Sequence, residues 1–199
     1  LLPAKKAGCS LASSITPQDV RDLKERYPGV PVVTYINTYA AVKAECDVCC
    51  TSGNANKVVN NLDSDVVICI PDELLAKNIA RDTGKKVITP GGVLEQDTMV
   101  VWDGKCEVHE QFTVQDIEQV RAQFPETLVV AHPECPPEVV EAADFSGSTT
   151  KMEDYVRETN ASSYLLLTEC SMSDNIQANN PEKNMLGLCS VRCPHMNEI

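Results

Sequence analysis

The feature that most constrains this chain is an internal repeat with an offset of 97 residues. Thr16-Pro17-Gln18-Asp19-Val20 returns as Thr113-Val114-Gln115-Asp116-Ile117, and Tyr27-Pro28 returns as Phe124-Pro125. Val32-Val33 returns as Val129-Val130, Asp47 as Asp144, and Asn78-Ile79 as Asn175-Ile176. No gap is needed between 9–79 and 106–176, and twelve of the 71 positions are identical, which holds both copies in one register. A repeated sequence builds one supersecondary unit twice. Each copy opens with an acid-capped helix after Thr16 or Thr113, with Asp19 or Asp116 closing its first turn. A short β-rich run follows (30–35; 128–132), then a helix (40–45; 137–142), a hydroxyl-rich loop (51–54; 148–150), and a second apolar strand (66–70; 164–167). Strands alternating with helices predict an α/β fold with parallel sheets covered on both faces. Ligands then gather beyond the C-terminal strand ends. The expected division is one α/β domain over 15–104 and a second over 105–185, flanked by segments 1–14 and 186–199. Residues 92–104 break the repeat and read as an inserted excursion with the form of a hairpin.

The repeat also pairs the chemically interesting residues. Cys9 falls opposite Cys106, Tyr35 opposite His132, Asn37 opposite Glu134, and Ser52 opposite Thr149. Equivalent strand ends thus carry different polar tools, as expected of pseudo-symmetric domains facing one site. Cys193 lies 87 residues beyond Cys106, close to one repeat length, so three single cysteines are expected to come from three domains. Three thiolates leave one iron of a [4Fe–4S] cube open, whereas four close it. Spacing alone does not separate iron–sulfur from zinc, although structural zinc usually takes close CxxC pairs.

There are ten cysteines in 199 residues, 43% of which are apolar. A disulfide scaffold is usually shorter and poorer in aliphatic core. Cys69 sits in mid-strand and reads as core. Cys46-x-x-Cys49-Cys50 is compatible with a metal knuckle or a redox pair, and Cys189-x-x-x-Cys193 with zinc. Cys135 and Cys170 follow acids at strand ends and read as lining without ligating. The net charge of −12 argues against a nucleic-acid surface. No apolar run reaches the length of a membrane span, and buried thiols with metal ligands favour a reducing, cytoplasmic setting.

His132-Pro133-Glu134-Cys135-Pro136-Pro137 is the strongest local signal for chemistry. A proline-flanked strand end presents an imidazole and a carboxylate together, suited to proton transfer near neutral pH. Ser52 and Thr149 stand where helices begin, positions that serve either as anion sites or as plain caps. His109, three residues after Cys106, reads as a polar loop residue or a support for a metal ligand.

Several segments together resemble the quinolinate synthase family. They are Leu2-Pro3 through Gly8-Cys9-Ser10-Leu11-Ala12, Val33-Thr34-Tyr35-Ile36-Asn37-Thr38 and Cys50-Thr51-Ser52-Gly53-Asn54-Ala55. They continue with Cys106-Glu107-Val108-His109-Glu110, His132-Pro133-Glu134-Cys135, Gly147-Ser148-Thr149, Thr168-Glu169-Cys170-Ser171-Met172-Ser173-Asp174-Asn175 and Cys193-Pro194-His195-Met196. The resemblance implies three pseudo-symmetric α/β/α domains with short parallel sheets around a central [4Fe–4S] cluster held by Cys9, Cys106 and Cys193. It implies condensation of iminoaspartate with dihydroxyacetone phosphate to quinolinate, for NAD biosynthesis. An L-aspartate oxidase or dehydrogenase would supply the iminoaspartate. It implies substrate contacts at Tyr35, Asn37, Ser52, Ser148 and Thr149, and catalytic roles for His132, Glu134 and Tyr35. It further implies an N-terminal part of the first domain ahead of residue 1. Against the family pattern, the stretch before Cys193 lacks the tighter CxxCxxC array, and the insertion before Cys106 is long.

Overall fold

The computed structural model describes residues 7–187 and 191–198. The Leu2-Pro3 motif and Cys189, with any metal or redox role for the latter, lie outside the described residues. The chain divides into two compact units, one over Gly8–Cys106 and the other containing Glu107–Ile199.

In the first unit, helix α1 (Pro17–Arg26) leads into strand β1 (Val32–Tyr35). Helix α2 (Ala40–Lys43), strand β2 (Val48–Cys50), helix α3 (Ala55–Asn60) and strand β3 (Val67–Ile70) follow. Helix α4 (Glu73–Thr83) then precedes strands β4 (Lys86–Ile88) and β5 (Thr98–Val101). All pairings are parallel, in the order β2-β1-β3-β5-β4. Alternate side chains fill two separate layers. Val33, Tyr35, Val67, Cys69, Met99 and Val101 pack on one face. Val32, Ile68, Ile70 and Val100 pack on the other with Val20, Leu23 and Tyr27. This is the period-two pattern of a sheet buried on both sides.

The second unit repeats the plan: helix α5 (Val114–Gln123), strand β6 (Leu128–Ala131), helix α6 (Pro137–Ala142), strand β7 (Phe145–Ser146), helix α7 (Thr149–Glu158), strand β8 (Ser163–Leu167), helix α8 (Cys170–Asn179) and strand β9 (Asn184–Leu186). Its sheet is parallel in the order β7-β6-β8-β9. Val33 faces Val48 in the first unit, and Val130 faces Phe145 in the second, both partners displaced by the same repeat length.

Local chemistry explains why the repeat folds twice alike. Thr16 and Thr113 each accept a hydrogen bond from the third helical amide, and Asp19 and Asp116 each accept one from the cap backbone N–H at 2.8 Å. The Asp47 carboxylate accepts the Val32 N–H at 2.7 Å, and Asp144 accepts that of Val129 at 2.8 Å, pinning the start of each first strand. Lys24 pairs with Asp47 at 2.9 Å and Arg121 with Asp144 at 3.1 Å, so even this exposed ion pair recurs.

The segment 92–104 is not a hairpin. Its apolar run Thr98-Met99-Val100-Val101 is a fully buried strand, paired in parallel with both β3 and β4. In the second unit β8 pairs directly with β9, so the extra residues of the first unit place one more strand between the corresponding pair. A continuous apolar β-prone run of this kind is what a strand covered on both faces requires. Beyond β5 the chain turns tightly against Pro71. A Cβ on Gly104 would stand 2.6 Å from the Pro71 carbonyl oxygen and would also meet the Ser14 hydroxyl, so only glycine fits two residues before Cys106.

Candidate active site

Within each unit, the predicted polar residues cluster at the C-terminal strand ends. In the first unit Tyr35 closes β1 and is buried, while Asn37 follows two residues later and is exposed. Ser52 follows β2 in a half-buried turn in which Thr51 N–H donates to Asn54 Oδ1 at 2.7 Å. Asn54 is the residue at the N-cap of α3, so Ser52 is a loop residue and not a helix cap. Cys9 and Cys106, paired by the repeat, both pack against the apolar layer that contains Leu11, Tyr35, Cys50 and Cys69. The Cys9 carbonyl accepts from both the Ser13 amide (3.0 Å) and the Ser13 hydroxyl (3.1 Å), which folds the chain sharply after the thiol. Cys106 ends this unit.

The second unit carries the densest group of titratable side chains. His132 N–H donates to the Leu167 carbonyl at 3.1 Å and extends the β6–β8 ladder by one residue. The chain then turns, with Cys135 N–H donating to the His132 carbonyl at 2.9 Å. Pro133 and Pro136 restrict this turn, which returns the Glu134 side chain toward His132. His132 Nδ1 accepts the Glu134 backbone N–H at 3.3 Å. His109 Nδ1 lies 3.1 Å from Glu134 Oε2, and His109 Nε2 lies 3.1 Å from Thr168 Oγ1. The two imidazoles stack, with ring centroids 4.7 Å apart and planes at 26°. Glu134 is 2% exposed and His132 3%, so neither is solvated as an ordinary surface group would be.

This burial has a titration consequence. Desolvation pushes His132 down to about 4; the neighbouring Glu134 carboxylate opposes the shift and His109 adds to it. A solvated histidine titrates near 6.5, so as pH falls the unfolded chain takes up this proton first. The stabilisation tied to neutral His132 is therefore intact above about pH 6.5. It is lost between there and about pH 4, by on the order of 3 kcal/mol. Denaturant midpoints are expected to fall across that window in the parent protein, and His132→Gln is expected to flatten that part of the fall. An equally steep fall in the variant would assign the acid sensitivity to other groups.

Ser148 caps α7, accepting from Lys151 N–H at 3.5 Å, and Thr149 is the first residue of that helix and exposed. Of this pair, Ser148 thus supplies the cap and Thr149 the first residue of a ten-residue helix. Cys193 is half-buried, and its backbone N–H donates to Glu169 Oε1 at 3.5 Å. The other Glu169 oxygen accepts from Ser171 N–H at 2.7 Å, so one carboxylate ties the Cys193 segment to the start of α8. His195 Nε2 stands 3.4 Å from Glu107 Oε1, a second tie for the same segment.

Cys9, Cys106 and Cys193 are all half-buried, as is Cys46. Cys50, Cys69, Cys135 and Cys170 are buried. Burial pushes the Cys50 thiol up to about 12 and raises Cys69 further. Cys135 donates to the Leu167 carbonyl at 3.4 Å. Cys46 donates to the Val42 carbonyl at 3.1 Å and is pushed by burial up to about 11, whereas Cys49 is exposed. None of the cysteines among the described residues is in a disulfide.

Sequence reasoning singled out His132 and Glu134 but left His109 a loose role, and gave none to Thr168 or Glu169. For Glu169 the repeat held the signal. Glu169 stands one repeat length after Asp72, and each acid caps the helix that follows its strand. For Thr168 no such signal existed, because its counterpart is Pro71.

A family model described as quinolinate synthetase A protein matches residues 1–199. Among named relatives, the quinolinate synthase of Agrobacterium fabrum is 53% identical over 199 residues, covering 100% of this chain and 54% of the relative. That of Caulobacter vibrioides is 54% identical over 203 residues, covering 100% of this chain and 52% of the relative. That of Xylella fastidiosa is 52% identical over 199 residues, with 100% and 55% covered. The chain thus spans about half the length of the curated relatives it matches. Matched along its whole length by the family model and by relatives at this identity, the chain belongs to the quinolinate synthetase A family.

Proposed function

We propose that this chain forms part of a quinolinate synthase, a transferase that condenses iminoaspartate with dihydroxyacetone phosphate and releases phosphate and water. The observation that carries the reading is the buried His109–Glu134–His132 group at the strand ends of the second unit, in a chain of this family. Condensation followed by loss of water needs protons removed from carbon and delivered to leaving oxygens. A carboxylate held against two imidazoles and shielded from solvent suits that task. Glu134 takes the role of base and His132 that of a hydrogen-bonding partner to a substrate oxygen. Tyr35 and Asn37 position the substrate from the end of β1. Ser52 and the Ser148–Thr149 pair hold phosphate or carboxylate oxygens, the latter with the free amides of α7.

The same reading assigns Cys9, Cys106 and Cys193 as ligands of one [4Fe–4S] cluster, with the family's three-domain architecture around it. The family resemblance selects these three thiols; each is half-buried, whereas Cys50 and Cys69 pack in a core and Cys135 and Cys170 are buried. With three thiolate ligands the cluster keeps one iron open, which supplies a Lewis-acid position for a substrate oxygen. Glu169 accepts the Cys193 backbone N–H, and His195 two residues on lies 3.4 Å from Glu107 Oε1. Iminoaspartate would come from an L-aspartate oxidase or dehydrogenase. Among the described residues, no helix is long and apolar enough to cross a membrane, and we assign the enzyme to the cytoplasm.

Two other classes compete: a zinc-stabilised α/β binding module and an iron–sulfur redox protein with four cysteine ligands. Anaerobic purification of the full-length protein is expected to give about four iron and four sulfide per chain, with brown thiolate-to-iron absorbance. It is also expected to form quinolinate from the two substrates. Zinc without iron after anaerobic reconstitution would overturn the proposal. Iron without quinolinate formation would favour the redox class.

A further inference from the structure

The stacked imidazoles present four ring nitrogens, and two of them face a group that dictates where the hydrogen lies. His132 Nδ1 faces the Glu134 backbone N–H at 3.3 Å. An amide only donates, so this nitrogen holds its lone pair toward the amide and the ring hydrogen belongs on Nε2. His109 Nδ1 faces Glu134 Oε2 at 3.1 Å. Acting as the base of the reaction proposed above, Glu134 is ionised and only accepts, so this nitrogen carries the hydrogen. His109 Nε2 faces the Thr168 hydroxyl at 3.1 Å, and a hydroxyl rotates to donate where an acceptor requires it.

We infer that the two histidines are held in opposite tautomers, His109 as the Nδ1–H form locked between Thr168 and Glu134, and His132 as the Nε2–H form that offers its hydrogen to the substrate. This deepens the functional reading above and rests on it for the word substrate. Thr168 and His109 become positioning residues: neither is placed on the substrate, and both act through Glu134. The Thr168 hydroxyl, 5% exposed at the end of β8, fixes the rotation of the His109 ring. The ring fixes one Glu134 oxygen; the other stands 3.8 Å from His132 Nδ1, beyond hydrogen-bonding distance. His132 then acts as an uncharged donor, and Glu134 is left as the base of the group. The strongly lowered basicity of His132 agrees with an uncharged ring at neutral pH. Triads of this kind, in which one group sets the tautomer of an imidazole and thereby the orientation of a third, tolerate loss of the outer member with reduced turnover.

Neutron diffraction from deuterium-exchanged crystals of the full-length protein reads the assignment directly. Deuterons are expected on His109 Nδ1 and His132 Nε2, with the Thr168 deuteron aimed at His109 Nε2. A deuteron on His132 Nδ1 or on His109 Nε2 would overturn the inference. In parallel, Thr168→Val is expected to lower kcat by about tenfold with KM unchanged, the size of one lost buried hydrogen bond, and Thr168→Ser to restore it. Parent-like kcat in Thr168→Val, or no rescue by serine, would remove the positioning role. The neutron map reads the tautomers whatever reaction the protein catalyses, so its failure and failure of the functional assignment are separate results.

Discussion

Glu134→Gln is expected to lower kcat for quinolinate formation in the full-length protein by about 10²–10⁴-fold, the usual contribution of a positioned general base. Glutamine keeps the size and an acceptor oxygen of the original, so the contact with His109 at 3.1 Å and the packing of a 2% exposed side chain are retained. What it loses is the capacity to take up a proton and the charge that orders the two imidazoles. KM is expected to change little, because the loss falls on the transition state more than on binding. Steady-state assays of the anaerobically prepared variant decide the matter, and turnover equal to the parent would remove Glu134 from the chemistry. The buried position makes glutamine more informative than alanine here. Alanine would open a cavity and remove the carboxylate from beside His109, mixing stability with catalysis.

The second large effect concerns the thiols. Cys9→Ser, Cys106→Ser and Cys193→Ser are each expected to abolish stable cluster incorporation, read as iron and sulfide per chain after anaerobic reconstitution. A hydroxyl is a far weaker ligand for iron than a thiolate, and a cluster that already lacks a fourth protein ligand has little to spare. Cys49→Ser provides the matched control, since that thiol is exposed and lies outside the proposed ligand set. Its iron content is expected to equal that of the parent. Full iron in any of the three variants would strike that residue from the ligand set, and loss in the control would point instead to the Cys46–Cys49–Cys50 group. Cys69→Ser would be a poor control, because it puts a hydroxyl into a fully packed strand and reports on folding.

Much of the fold was legible because its causes are local. The Thr16–Asp19 and Thr113–Asp116 capping boxes form within four residues, and each helix begins where those residues require. The alternation that sends Val33 to one layer and Val32 to the other is a property of the strand alone. The register of the second copy follows the first because Asp144 repeats the bond that Asp47 makes to its strand. His132 and Glu134 were legible for a related reason: two prolines flank them, and a restricted turn after a buried strand displays its side chains together.

The misreading of 92–104 has an equally plain cause. Thr98-Met99-Val100-Val101 has the composition of a strand, but composition does not choose the partner or the direction of pairing. The nine residues after β4 lead into a strand that enters between β3 and β4, parallel to both and buried on both faces. Of the two readings of Ser52, the cap is excluded because Asn54, two residues on, occupies the N-cap position and its side chain accepts from Thr51.

By itself, the sequence determined the parallel α/β class, the doubled unit, the caps, the layers of the core and the pairing of an imidazole with a carboxylate at one strand end, since each depends on contacts between near neighbours or on periodicity. Only the tertiary structure decided that His109 lies against Glu134, that Thr168 holds the far side of the same ring, and that Glu169 ties down the Cys193 segment. Those contacts join residues 25, 59 and 24 positions apart in sequence. Hydrogen-bond direction at such distances is set by where packed strands end in space, which no local pattern of residues encodes.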